Sequence, residues 1–138
     1  MAEGQAIAVD LVQQFVIKAH GDLEAVSELI EAHPGLVNAT WDWGNGDWET
    51  GLGAASHIGR RDIALCLLDR GARLDLFAAA MLGYRDVIAA ALHALPSVAT
   101  APGPHGIPLI EHARAGGSPA AEVLKLLEDQ LEVASQIR

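Results

Sequence analysis

TGLGAASHIGRRDIALCLLDRGARLD, running from Thr50 to Asp75, is the stretch that decides the fold. Its first half carries small residues on one helix face, so a neighbouring helix can approach closely; Gly59 then separates it from a second helical run. In that second run Ile63, Cys66 and Leu67 fall on one apolar face at helical spacing. The unit is helix, turn, helix. Working outward, a glycine recurs between short apolar runs at Gly21, Gly59, Gly83 and Gly116, at intervals of 38, 24 and 33 residues. Each is followed by a run with paired aliphatics near its end: Leu29-Ile30, Leu67-Leu68, Ala91-Leu92 and Leu126-Leu127. The same unit therefore occurs four times, as internal repeats do.

The stretch resembles an ankyrin repeat: Thr50 and Leu52 match the family's Thr-Pro-Leu-His opening, and Ala55-Ser56 its Ala-Ala. Gly59 matches the inter-helix Gly, Leu67-Leu68 and Gly71-Ala72 follow in register, and Asp75 stands at the closing Asn. Partial matches occur at Gly21-Asp22, Leu29-Ile30 and Leu36-Val37-Asn38, at Ala79-Ala80 and Gly83, and at Gly106, Pro108-Leu109 and Gly116. The resemblance implies an all-α solenoid of helix pairs with hairpin fingers and a concave groove, in one domain with repeats at about 11–38, 39–75, 76–99 and 100–128 and a capping tail at 129–138. Against the family spacing, the finger between Asn38 and Thr50 is about four residues longer, and between Asp75 and Leu76 there is almost none.

Composition agrees with helices. The 138 residues are 51% hydrophobic but only 4% aromatic, mostly Ala and Leu, and that length suits one domain with its own core. A net charge of −9, with no basic cluster beyond Arg60-Arg61, argues against nucleic acid and anionic lipid as partners. One cysteine, Cys66, cannot form an internal disulfide, and the start Met-Ala-Glu-Gly lacks a secretory signal pattern, so a cytoplasmic address is expected. The uncharged stretch from Val87 to Ile110 is interrupted by Pro96, Pro102, Pro104 and Pro108, which excludes a spanning helix.

Chemistry concentrates in the long finger, Trp41-Asp42-Trp43-Gly44-Asn45-Gly46-Asp47-Trp48-Glu49, which holds all three tryptophans. A hairpin turning at Gly44-Asn45-Gly46 puts positions 41 and 43 on one side and Asp42 on the other, pairing an aromatic platform with carboxylates. By the resemblance, His57 looks from an inner helix into the groove, in a row with Ala19, Met81 and Arg114. His20 stands at the groove rim or in solvent, His105 near the tip of the fourth finger, and His112 is expected in the core. Alternatively, His57 merely bonds a finger carboxylate, Asp42, Asp47 or Glu49, and the indoles only cover apolar surface. No two donors have a metal-ligand spacing along the chain, so neither metal nor cofactor is expected.

Two functions fit. In the first, the groove binds a small molecule or a peptide of a protein partner, with Trp41, Trp43, Trp48, Met81 and His20 as contacts. In the second, the chain is a cofactor-independent enzyme of lyase or cyclase type, acting on an activated carbonyl compound in biosynthesis. There His57 is the acid–base group, Asp42 or Asp47 orients it, and Arg114 or His105 stabilises an oxyanion.

Overall fold

Thr50 ends a strand and opens a helix, and the site hangs from that junction. In the computed structural model, which describes residues 4–137, the Thr50 hydroxyl accepts the Gly53 N–H at 2.9 Å, capping helix α3 (Gly51–Ile58). Gly59 closes α3 in the left-handed region, at φ 80°, and α4 (Arg61–Asp69) follows. A side chain at Gly59 would also strike the Ala115 carbonyl, so the turn and the packing both require glycine.

The chain is mostly helical. Besides α3 and α4 it forms α1 (Val9–Lys18), α2 (Leu23–Ala32), α5 (Leu76–Leu82), α6 (Arg85–Ala94), α7 (Leu109–Gly116) and α8 (Ala121–Ile137). Each odd-numbered helix packs on the one that follows it, and α1, α3, α5 and α7 pack in succession. α3 also meets α7 directly, across the short α5. Phe15, Leu36, Leu52, Ile63 and Leu67 centre one buried cluster; Ile88, Leu109, Val123 and Leu127 centre a second.

Three details differ from the sequence reading. The residues at 129–137 form no separate cap but continue α8, whose apolar periodicity outlasts the resemblance. In the fourth pair the left-handed glycine is Gly117, at φ 67°; Gly116 lies inside α7, where a side chain would strike the Met81 carbonyl. Met81 itself is 1% exposed: it belongs to the core between helices, and the expectation of a groove contact fails because α7 covers it so closely.

Two fingers project. The first is a hairpin in which β1 (Thr40–Asp42) pairs antiparallel with β2 (Trp48–Thr50), in the register Thr40/Thr50, Trp41/Glu49 and Asp42/Trp48. Gly44, Asn45 and Gly46 carry its turn with φ of 134°, 56° and 77°. The second is bridged at Pro102 and Pro108 and holds a single 3-10 turn, Pro104–Gly106. Between them the chain goes straight from Asp75, whose carboxylate accepts the Ala78 N–H at 2.8 Å, into α5. The second finger occupies that gap: Gly103 lies against the Phe77 ring of α5, and Pro104 beside Gly53 of α3. Among the described residues no helix is long and apolar enough to cross a membrane.

Candidate functional site

Cross-strand pairing puts Trp41 and Glu49 on one face of the hairpin, and Trp43 shares it by the two-residue alternation of a strand. That face turns toward the helices, and Glu49, next to the fixed cap Thr50, is fully buried. Its carboxylate forms the floor of a cluster. Three imidazoles surround it: His20, just past the end of α1; His57, in the last turn of α3; and His105, at the tip of the second finger. Their Nε2 atoms lie 3.3, 3.2 and 3.2 Å from the nearest Glu49 oxygen, Oε1 for His20 and Oε2 for the other two.

The opposite nitrogens show which protons are present. His20 Nδ1 lies 2.9 Å from the Val16 carbonyl oxygen, which can only accept, so this nitrogen carries the hydrogen. His105 Nδ1 lies 2.7 Å from an Asp47 oxygen, while the other Asp47 oxygen accepts the His105 backbone N–H, also at 2.7 Å. That main-chain bond fixes His105 in its left-handed conformation, φ 61°. Asp47 is held below the usual carboxylate range, first by the backbone hydrogen bond from His105 and then by its ring, so it too is an acceptor. When neutral, each of these two rings therefore turns a bare lone pair toward a Glu49 oxygen; when protonated, it donates to that oxygen instead.

Glu49 stays ionised. Burial pushes its carboxyl up, but the rings of His57 and His20, the Trp43 indole and the ring of His105 outweigh burial and hold it below the usual glutamate range. The Trp43 Nε1–H donates to Oε1 at 3.0 Å, whereas Glu49 Oε2 and His57 Nε2, both buried, have no hydrogen-bond partner. For His105, burial lowers the pKa, yet Asp47 and Glu49 together raise it above the usual histidine value. One imidazolium can thus face Glu49. Three cannot, since adjacent rings have centroids 5.1 and 5.3 Å apart and one carboxylate neutralises one charge.

All four donor groups place a ligand atom within 4.8 Å of one another. Separations of 3.2 to 3.3 Å exceed the 2.7–2.9 Å of a charge-assisted hydrogen bond. These three equal the edge of a coordination shell with bonds near 2.0–2.2 Å, about 2.8–3.6 Å, whereas the donor set as a whole spans up to 4.8 Å and would have to contract around an ion. The carboxylate and carbonyl behind two of the rings are the partners that metal-binding histidines ordinarily have. The absence of metal expected from the sequence rested on spacing along the chain; in space, donors from positions 20, 49, 57 and 105 meet.

The other candidates are scattered. Asp42 accepts the Gly44 N–H at 2.8 Å and touches no histidine, because its side chain leaves the opposite face of the hairpin. With Trp41 and Trp48 it lines a separate cleft of about 320 Å³ against Ile7, Val9 and Val12 of the N-terminal segment. Arg114 pairs with Glu111 on the surface of α7, and Ala19 is buried. His112 is in the core as expected, 2.7 Å from the Ser56 hydroxyl, with its pKa lowered to about 4, chiefly by burial. Glu49 stands in the sequence reading only as one of three finger carboxylates that His57 could bond, and it is the one that His57 meets, at 3.2 Å. The signal for it was its two-residue offset from Asp47 on the same strand face, directly before a helix cap.

No protein-family model, no curated protein and no solved structure matches the chain.

Proposed function

We propose that the protein is an ankyrin-like array of helix pairs whose groove binds one divalent transition-metal ion between Glu49, His20, His57 and His105. The array is supported by the successive packing of α1, α3, α5 and α7 and by the caps at Thr50, Asp75, Gly59 and Gly83. The direct contact of α3 with α7 gives it tighter curvature than nearest-neighbour stacking alone. The observation that carries the metal reading is the convergence of donors: ligand atoms of Glu49, His20, His57 and His105 lie within 4.8 Å of one another, and the Nδ1 atoms of His20 and His105 are engaged by Val16 and Asp47, so that both Nε2 atoms face a buried carboxylate. A metal cation among them would take the place of the proton that His105 otherwise holds toward Glu49. With three imidazoles, one carboxylate and no thiolate, the set suits zinc, iron, cobalt, nickel or copper better than calcium or magnesium.

Protein stripped with a chelator and titrated with Zn²⁺, Co²⁺ or Ni²⁺ in a calorimeter is expected to bind one ion per chain, and to release protons as it does. Failure to bind at that stoichiometry, or equal binding by Glu49→Gln, defeats the reading.

A second reading keeps the groove metal-free. It is favoured by the chain Asp47–His105–Glu49, a carboxylate, an imidazole and a second carboxylate in contact at 2.7 and 3.2 Å. Such a chain can deliver or accept a proton, as acid–base chemistry on a bound carbonyl compound requires. Turnover that survives chelation would favour it. Capture of a small apolar molecule or peptide side chain is supported separately by the cleft that Trp41, Asp42 and Trp48 of the hairpin form with Ile7, Val9 and Val12.

A further inference from the structure

The four donors enclose their centre from one side only. Glu49 at the floor is 0% exposed, His57 is 14%, and His20 and His105 at the rim are 27% and 30% exposed. The walls form a square of rings: His20 to His57 at 5.1 Å between centroids, His57 to His105 at 5.3 Å, His105 to Trp43 at 5.8 Å and Trp43 to His20 at 6.1 Å. One wall of that square, the indole, has no atom to give a metal. Its N–H is already committed to Glu49 Oε1, which leaves Oε2 as the carboxylate atom facing His57 and His105. Among the described residues no fifth His, Cys, Asp or Glu joins the group.

Resting on the metal reading above, we propose that the bound ion keeps a coordination position open to solvent at the mouth of this square, and that the position takes a small monoanionic oxygen or nitrogen donor. Hydroxide, and the enolate or hydroxamate form of an activated carbonyl compound, belong to that class. The charge supports it: a divalent ion less the Glu49 carboxylate is +1, which one monoanion neutralises. Asp47, behind the His105 ring, is engaged by that ring and by the His105 backbone N–H. The ring walls and the half-exposed Trp43 favour a ligand with an apolar body. Structural metal sites are closed by their protein ligands, whereas sites that act on a substrate keep a place for it. With four protein donors this one is of the second kind on an ion that takes five or six ligands, and it differs from a cage for an organic ammonium because ring nitrogens converge here, not ring faces.

The test uses the wild-type chain loaded with one Co²⁺, whose visible spectrum reports coordination number, titrated with azide and with acetohydroxamate. The expected result is a weak five- or six-coordinate spectrum that shifts saturably, with one probe molecule bound per ion. Intense four-coordinate bands that neither probe moves would overturn the open position while leaving the metal site standing. Failure of Co²⁺ to bind at all would overturn both. Trp43→Phe, which keeps a ring in the wall but frees Glu49 Oε1, is expected to retain Co²⁺ and to weaken probe binding severalfold; probe binding unchanged within twofold would remove the indole from the argument.

Discussion

Consecutive residues of α3 serve two histidine environments that behave in opposite ways. Ser56 points into the core and meets His112; His57 points to the groove and joins Glu49, His20 and His105. His112 is the more deeply buried ring, it pairs with no carboxylate, and Phe77 lies beside it at 5.0 Å between centroids. His105 is partly exposed and lies between two carboxylates. Burial with one hydroxyl partner gives a neutral, fixed core group. Convergence of three imidazoles on a buried carboxylate favours a positive charge there, a proton or the proposed metal ion. Chemistry here follows the count of protons against acceptors more closely than it follows depth.

The comparison can be broken most severely at Glu49. Glu49→Gln keeps the shape and removes the charge, so metal affinity should fall by at least about 100-fold, as should that of His57→Ala, while His112→Gln should leave it within a few-fold. Calorimetry on all three variants decides it; a His112 variant that loses metal as completely would mean that the two environments are one. Asp47→Asn comes next. Asparagine can still accept from the His105 ring but no longer as an anion, and a loss of about 10- to 100-fold in affinity is expected.

The two rings should also impose opposite pH dependence on the metal-free fold. For His112 the folded pKa of about 4 lies below an unfolded value near 6.5, so the unfolded chain takes the proton first. Its contribution is complete above pH 6.5 and is lost as pH falls through 4, a loss of about 3 kcal/mol. For His105 the folded value is raised, so its contribution is present below the unfolded pKa and is lost as pH rises through the folded one. Urea unfolding with chelator present, at pH 7.5 and 4.5, should show the acid loss in the wild type and much less of it in His112→Gln. An equal loss in both would place the acid sensitivity elsewhere. The smallest effects belong to Asp42→Asn and Arg114→Ala, expected to change metal affinity by less than about twofold, because neither side chain reaches the cluster.

Much of this architecture was legible along the chain. Helix pairs followed from the small-residue run before Gly59 and the apolar stripe after it, and the hairpin turn followed from Gly44-Asn45-Gly46. The sequence places His57 facing the long finger, His105 at a tip from which it reaches the groove, and His112 in the core; Asp47 does hold an imidazole, but that of His105 and not of His57, which lies against Glu49. Glu49 was harder to see because its burial depends on α1 and α3 closing over the strand, a tertiary event with no composition signature. Arg114 and Met81 misled because a groove row taken from family geometry assumes evenly spaced repeats. Here α3 touches α7, Met81 is buried between helices, and Arg114 pairs with Glu111 one turn earlier on its own helix.

The direct passage from Asp75 into α5 gives residues that do not exist a part in the chemistry. Because no loop rises there, His105 can cross in front of Phe77 and reach Asp47, 58 positions earlier in the chain. The placing of the proposed ligands is therefore set partly by the shortness of the connection into α5. Inserting a hairpin's length of Gly and Ser between Asp75 and Leu76 should leave every donor intact, keep the helices folded, and still unseat His105, so that metal affinity falls to that of His105→Ala.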